Sequence, residues 1–171
     1  MLVIYNNFLI KPTELFMVKP DKKTFVVNIP FFTESQKHHT YFNRKLFISS
    51  RGSIKNAPEC EEIIGNINSK EELIKLIELE ANQKYWHVTK DMSDVCKHCE
   101  FRYMCMDNRI PYQRKNGEWY HKEECDYNPY IGKWKGEKGY KNLNECGIIS
   151  DENWFFINYN KVEVINKNIK L

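Results

Sequence analysis

No run in this chain approaches the roughly 20 apolar residues that a membrane-crossing helix needs. A spanning segment is therefore not expected. The opening residues, Met1-Leu-Val-Ile-Tyr-Asn-Asn-Phe-Leu-Ile, also lack a basic stretch ahead of the apolar run, and Asn6 and Asn7 interrupt it. They read as a strand rather than a secretory signal. Without such a signal the expected compartment is the reducing cytoplasm, where cysteines serve as ligands or free thiols rather than as disulfides. Excess charge of one sign is missing as well: 26 Lys+Arg face 23 Asp+Glu, for a formal net charge of +3. A balance so small and so evenly spread gives no electrostatic case for a nucleic-acid partner. There is no internal repeat and no low-complexity segment. The length of 171 residues leaves room for one domain, with or without an appended piece, and excludes two full cores or a large barrel.

What is present is enough for a packed, water-facing domain, with 42% hydrophobic, 14% aromatic and 29% charged residues. The stretch that organises the rest is Cys96-Lys-His-Cys99-Glu-Phe-Arg-Tyr-Met-Cys105, followed by Cys125. Two cysteines separated by two residues point both sulfurs into one small volume, so much of the closure entropy of a site is local. Cys96, Cys99, Cys105 and Cys125 can together enclose one metal centre. Four thiolates suit tetrahedral zinc or an iron–sulfur cluster, and ligand identity does not separate the two. Cys60 and Cys146 fall outside this spacing and read as ordinary thiols. His38 and His39 are read as a solvated or hydrogen-bonded pair rather than as ligands.

In chain order, residues 1–32 carry the apolar runs Leu2–Tyr5, Leu15–Val18 and Phe25–Ile29, with a turn signal at Pro20–Lys23. Extended edge strands or a hairpin are expected there. Leu46–Ile48 and Ser53–Lys55 flank a turn at Gly52 and predict a β-hairpin. Gly65-Asn-Ile67 reads as a turn. Ser69 and Glu72 form a capping box, and Leu73, Leu76 and Ile77 follow at helical spacing, so a helix over 70–84 is expected. From His87 to about residue 119 no helical or strand period is visible, and a metal would substitute for secondary structure. Tyr127-Asn-Pro-Tyr130 is a turn. The later aromatics Trp134, Tyr140, Trp154, Phe155 and Phe156 are expected in core packing.

The run Leu46–Lys55, then Gly65-Asn-Ile67, a short helix and C-x2-C-x5-C at Cys96, Cys99 and Cys105 resembles the SPASM domain, the auxiliary-cluster domain of radical S-adenosylmethionine enzymes that modify peptides. More narrowly, Tyr41–Leu46, Asn56–Glu59, Cys99–Cys105 with Asp107-Asn-Arg109, and Tyr127–Tyr130 resemble the SPASM maturases of grasp-with-spasm peptide systems. The resemblance covers roughly residues 25–150. It implies an α+β fold: a small domain with a hairpin, a short helix and an irregular cysteine-rich segment binding a 4Fe-4S cluster, or zinc on the alternative reading. It also implies that residues 1–45 are the remnant of the end of a barrel, that 46–150 are the auxiliary-cluster domain, and that 151–171 are a C-terminal tail.

Departures from the pattern limit what carries over. Cys96, Cys99, Cys105 and Cys125 match the ligands of the second auxiliary cluster, whereas Ala57 and Arg109 stand where the first would take cysteines. One cluster is expected instead of two. The C-x3-C-x2-C spacing that holds the S-adenosylmethionine-cleaving cluster occurs nowhere in the chain. The implied partners are accordingly a precursor peptide, a separate radical S-adenosylmethionine barrel subunit and an ATP-grasp ligase, and S-adenosylmethionine would be used only through that barrel. Lys97, His98 and Arg102, beside the ligands, are expected to offset cluster charge.

Overall fold

The computed structural model describes residues 3–6, 20, 22–67 and 70–169. Strand β1 (Val3–Asn6) lies parallel to β2 (Lys45–Ile48), which pairs antiparallel with β3 (Ser53–Lys55), and β3 pairs with β4 (Gly65–Asn66). The β2–β3 hairpin is the one the sequence predicts. Its turn closes through the Gly52 amide donating to the Ser49 carbonyl (2.9 Å), with Gly52 at φ +81, where a side chain would be strained. Gly65-Asn66, expected as a turn, instead adds an edge strand to β3. Behind it, helix α2 (Lys70–Glu78) approaches so closely that a Cβ on Gly65 would stand 2.6 Å from Leu76 Cδ1.

Helix α2 is shorter than its apolar period predicts. Leu79 turns extended, and Glu80–Gln83 continue as a 3₁₀ turn. The side-chain amides of Asn82 and Gln83 donate back to the carbonyls of Leu76 and Ile77 (2.8 and 2.9 Å), which satisfies the orphan acceptors of the last helical turn. The Ser69 half of the capping box lies outside the described residues, as does the Leu15–Val18 run.

The expected strand at Phe25–Ile29 is corrected. Phe25 forms a single antiparallel bridge to Cys105, and helix α1 (Ile29–Ser35) begins four residues on. The Asn28 side chain accepts the Phe31 amide (2.8 Å), and Pro30 sits in the first turn, where its missing amide is harmless. Capping chemistry thus overrides a short apolar run. The Ser35 hydroxyl donates to the Tyr103 carbonyl (2.9 Å) and the Val26 amide to that of Met104 (2.8 Å), tying this region to the cysteine segment.

Within the segment expected to be irregular, β5 (Pro111–Gln113) pairs with β6 (Trp119–His121) in a hairpin, which corrects that expectation; beyond it, β7 (Tyr127–Asn128) and β8 (Lys133–Trp134) form another, with Tyr127 and Asn128 of the expected Tyr127–Tyr130 turn in strand. A third hairpin, β9 (Ile148–Ser150) with β10 (Phe155–Ile157), leads into helix α3 (Tyr159–Ile169). Two apolar clusters are buried. One contains Phe42, Ala57 and Cys60, and the other Ile131, Leu143, Cys146, Ile148 and Val162. Phe155 packs on the second, while Trp154 and Phe156 are 61% and 54% exposed, against the expectation of core packing. Among the described residues the architecture is α+β: three α-helices and small, mainly antiparallel sheets. Among the described residues, no helix is long and apolar enough to cross a membrane.

Candidate metal centre

Cys96, Cys99, Cys105 and Cys125 line a single small cavity of about 30 Å³. Four different devices bring them there. A 3₁₀ turn over Cys96–His98 carries the first, and the Cys99 amide closes it on the Cys96 carbonyl at 2.9 Å. The tight loop that follows delivers Cys105, which is held by its bridge to Phe25. The Tyr127 amide, at the start of β7, donates to Cys125 Sγ (3.4 Å). Cys96 is aimed by its neighbour: Val95 has φ +62 and ψ −52, and the Cys96 amide donates to the Asp94 carbonyl across it (2.6 Å). That is a γ-turn of the rare handedness, a conformation a β-branched residue adopts only under constraint.

All four sulfurs are free of disulfide bonds. Burial raises the thiol pKa values of Cys99, Cys105 and Cys125, that of Cys99 to about 12. Without a cation among them these groups stay protonated, so metal binding would have to displace protons.

The cavity wall is charged. Lys90 and Arg109 line it together with the cysteines, and both meet Asp107, which is fully buried. Arg109 donates to Asp107 through Nε (2.9 Å) and Nη2 (2.7 Å), to the Glu123 carbonyl through Nη1 (2.7 Å), and to Cys96 Sγ through Nη2 (3.6 Å). Lys90 Nζ donates to Asp107 Oδ2. Burial opposes ionisation of Asp107, but the Arg109 and Lys90 charges outweigh it and hold the carboxyl well below the usual carboxylate range. His121 completes the group. Burial, and then Arg109 and Lys90, depress its pKa far enough to keep it neutral, and its Nδ1 lies 3.2 Å from the Ile110 carbonyl.

Among the described residues, one set of three or more ligand-type side chains has all its ligand atoms within 4.8 Å: Cys96, Asp107 and His121. Its carboxylate is already committed to two cations, and a divalent ion there would meet their repulsion at contact range. The four cysteines share a cavity without forming so tight a set. This bears on which metal fits, because a zinc ion about 2.3 Å from each sulfur draws tetrahedral thiolates to about 3.8 Å of one another. A cubane carries its thiolates on four separate irons, at the corners of a larger body.

Of the cations expected beside the ligands, Arg102 lines the cavity, donating to the Cys99 carbonyl (3.0 Å) and to Asp91 (2.7 Å). Lys97 and His98 do not line it; Lys97 pairs with Asp94 at 3.3 Å. Lys90 and Arg109 line the cavity as well, and Arg109 reaches Cys96 Sγ. Neither stands out in the sequence as a charge partner, because lysine and arginine are rarely buried without a partner and a sequence does not display the partner. His39 accepts the amides of Tyr41 and Phe42 at Nδ1 (3.0 and 3.2 Å), and His38 stacks near His87, so neither histidine belongs to the cavity. Cys60 and Cys146 sit in the two apolar clusters, and burial raises the Cys60 thiol to about 11.

Asp94 anchors the far side. Its carboxylate lies 2.6 Å from Arg114 Nη1, both side chains being almost fully buried, and Arg114 also donates to the Asp151 and Trp154 carbonyls (2.8 and 3.0 Å). One arginine thus joins the β5–β6 hairpin, the approach to Cys96 and the turn between β9 and β10. No family model matches the chain, and no curated protein or solved structure matches it.

Proposed function

We propose that this chain is the auxiliary iron–sulfur domain of a radical S-adenosylmethionine peptide-maturation system, holding one 4Fe-4S cluster through Cys96, Cys99, Cys105 and Cys125. The observation that carries the reading is the shared cavity: four cysteines from three loops meet at one place, spaced more widely than a single zinc ion draws its ligands. When bound, such a cluster supplies one-electron transfer. The protein's own part is to fix the ligands and shield them. The Tyr127 amide and the Arg109 guanidinium donate to two of the sulfurs, and hydrogen bonds of this kind tune a centre as well as orienting it.

The system-level part of the reading rests on the motif resemblance. With full cysteine ligation and no C-x3-C-x2-C, the chain is expected to form no 5'-deoxyadenosine from S-adenosylmethionine by itself. It would act on a precursor peptide together with a barrel subunit and an ATP-grasp ligase. The test is anaerobic reconstitution followed by metal analysis. The expected result is about four irons and four sulfides per chain, abolished by Cys99→Ala and unchanged by Cys60→Ala. Retention of one zinc with no uptake of iron would overturn the assignment in favour of a structural zinc module, and loss of metal in Cys60→Ala would overturn the ligand set.

A further inference from the structure

The cavity that gathers the four cysteines has two buried cations in its wall and one carboxylate to meet them. The Lys90 and Arg109 side chains are 2% and 5% exposed and Asp107 is 0% exposed. Both cations contact Asp107, so the trio carries one positive charge in excess, and His121 behind it adds none while neutral. An uncompensated charge away from water is costly, by several kcal/mol in real proteins. Three observations show where this one is directed. Lys90 and Arg109 line the same cavity as the sulfurs, Arg109 Nη2 reaches Cys96 Sγ at 3.6 Å, and the Asp107 contacts leave neither cation free to swing to the surface. Arg102, the third cation of the wall, is 28% exposed and bound to Asp91, so solvent and a carboxylate both screen it.

We infer that Lys90 and Arg109 form a fixed cationic floor that raises the reduction potential of the thiolate-ligated centre, with Asp107 limiting how far. The inference rests on the iron–sulfur reading. Adding one electron to a centre already negative from four thiolates is opposed by its own charge. A buried positive charge a few ångströms away lowers that opposition, because little water lies between to screen it. Lys90 and Arg109 act as positioning and tuning groups. They take up no electron, which comes from an external one-electron donor. Asp107 has the opposite influence and also clamps the two cations in place.

The test is a redox titration of the full-length reconstituted chain, followed by absorbance and electron paramagnetic resonance, with iron content measured on each sample. Lys90→Met should lower the potential, giving about a tenfold smaller reduced-to-oxidised ratio at fixed applied potential, or about 59 mV for one electron. Asp107→Asn should raise it, Lys90→Arg should leave it within about twofold in that ratio, and Lys90→Met/Asp107→Asn, which removes one charge of each sign, should fall near the parent. Opposite signs for the two single changes carry the inference, because a merely structural role does not reverse with the sign of the charge. Equal potentials, or shifts in one direction, in chains that keep four irons overturn it. If one single variant loses its cluster, the other single variant and the double variant decide by the same signs. If none of the substituted chains holds iron, the trio is scaffold and the inference fails. A parent chain that binds zinc and no iron is a different failure, that of the reading beneath it.

Discussion

Residues 88–129 and residues 131–169 are neighbours in the chain and are held in opposite ways. The later segment closes on Ile131, Leu143, Cys146, Ile148 and Val162, with Phe155, Ile157, Ile165 and Ile169 packed around them. The earlier one buries Val88, Trp119, Tyr120 and Tyr127, but beside them it buries Lys90, Ser93, Asp94, Asp107, Asn108, Arg109, Arg114 and His121, joined mainly by ion pairs and hydrogen bonds. Burial of aliphatic surface stabilises by itself, at about 25 cal/mol per Å². A buried ion pair does not, because desolvation consumes most of the Coulombic gain. Two cysteine populations follow the same division. Cys146 behaves as a small apolar side chain, whereas the four around the cavity would contribute mainly through a metal, on the proposed reading. The cysteine segment thus has a defined geometry and a weak intrinsic reason to keep it.

The sharpest way to break this comparison is to remove a ligand. Cys105→Ala should abolish metal binding and open new tryptic sites between residues 88 and 129, while the fragment spanning 131–169 stays resistant. Equal digestion of both segments would show that they do not differ. Next in size is Arg114→Met, which leaves the buried Asp94 carboxylate with the half-exposed Lys97 alone and removes the donors to the Asp151 and Trp154 carbonyls, and which should cost about 3 kcal/mol in a denaturant titration. Adding Asp94→Asn should restore part of the loss. In the apolar segment, Ile148→Val removes one methylene from a fully buried site and should cost about 1 kcal/mol with metal content unchanged.

The smallest effect expected is a pH slope. His39 and His121 are held neutral in the fold, by burial first, then by Lys90 for His39 and by Arg109 and Lys90 for His121. In the unfolded chain both take up protons below about 6.5. The unfolded state then binds more protons, so the contribution is intact above that pH and is lost as the pH falls through it. Protonating His39 would also break its two amide contacts at Nδ1. His39→Gln should therefore flatten the decline in stability of the metal-free chain between about pH 6.5 and 5, and an unchanged slope would remove His39 from the account.

The sequence displayed the elements whose signals are local. The β2–β3 hairpin, the start of α2 near residue 70, and the run Cys96, Cys99 and Cys105 each depend on residues a few positions apart. What it hid has other causes: competing local chemistry, elements too short to show a period, and, for the buried charges, partners farther along the chain. Helix α2 ends at Glu78 because Asn82 and Gln83 fold back, although the apolar period runs past that point. The Phe25–Ile29 run fails as a strand because Asn28 and Pro30 start a helix inside it. The β5–β6 hairpin has strands of three residues, too short for an alternation to show. Lys90 and Asp107 are 17 residues apart, and nothing in either residue type announces burial. A usable signal did exist in Asp107-Asn-Arg109, two opposite charges flanking one residue just after the third cysteine.

The γ-turn at Val95 bears on the order in which the centre assembles. A conformation of this kind costs about 1–3 kcal/mol and persists only where the surroundings enforce it, here the pairing of Asp94 with Arg114 beside it. Cys99 and Cys105, on ordinary backbone, need no such enforcement. On the proposed reading an incoming metal would meet those two sulfurs first, and Cys96 would close the site last, once Asp94 is docked on Arg114. Val95→Gly would relax that sequence of events, and stopped-flow loading of the apo chain should then lose its slow final phase.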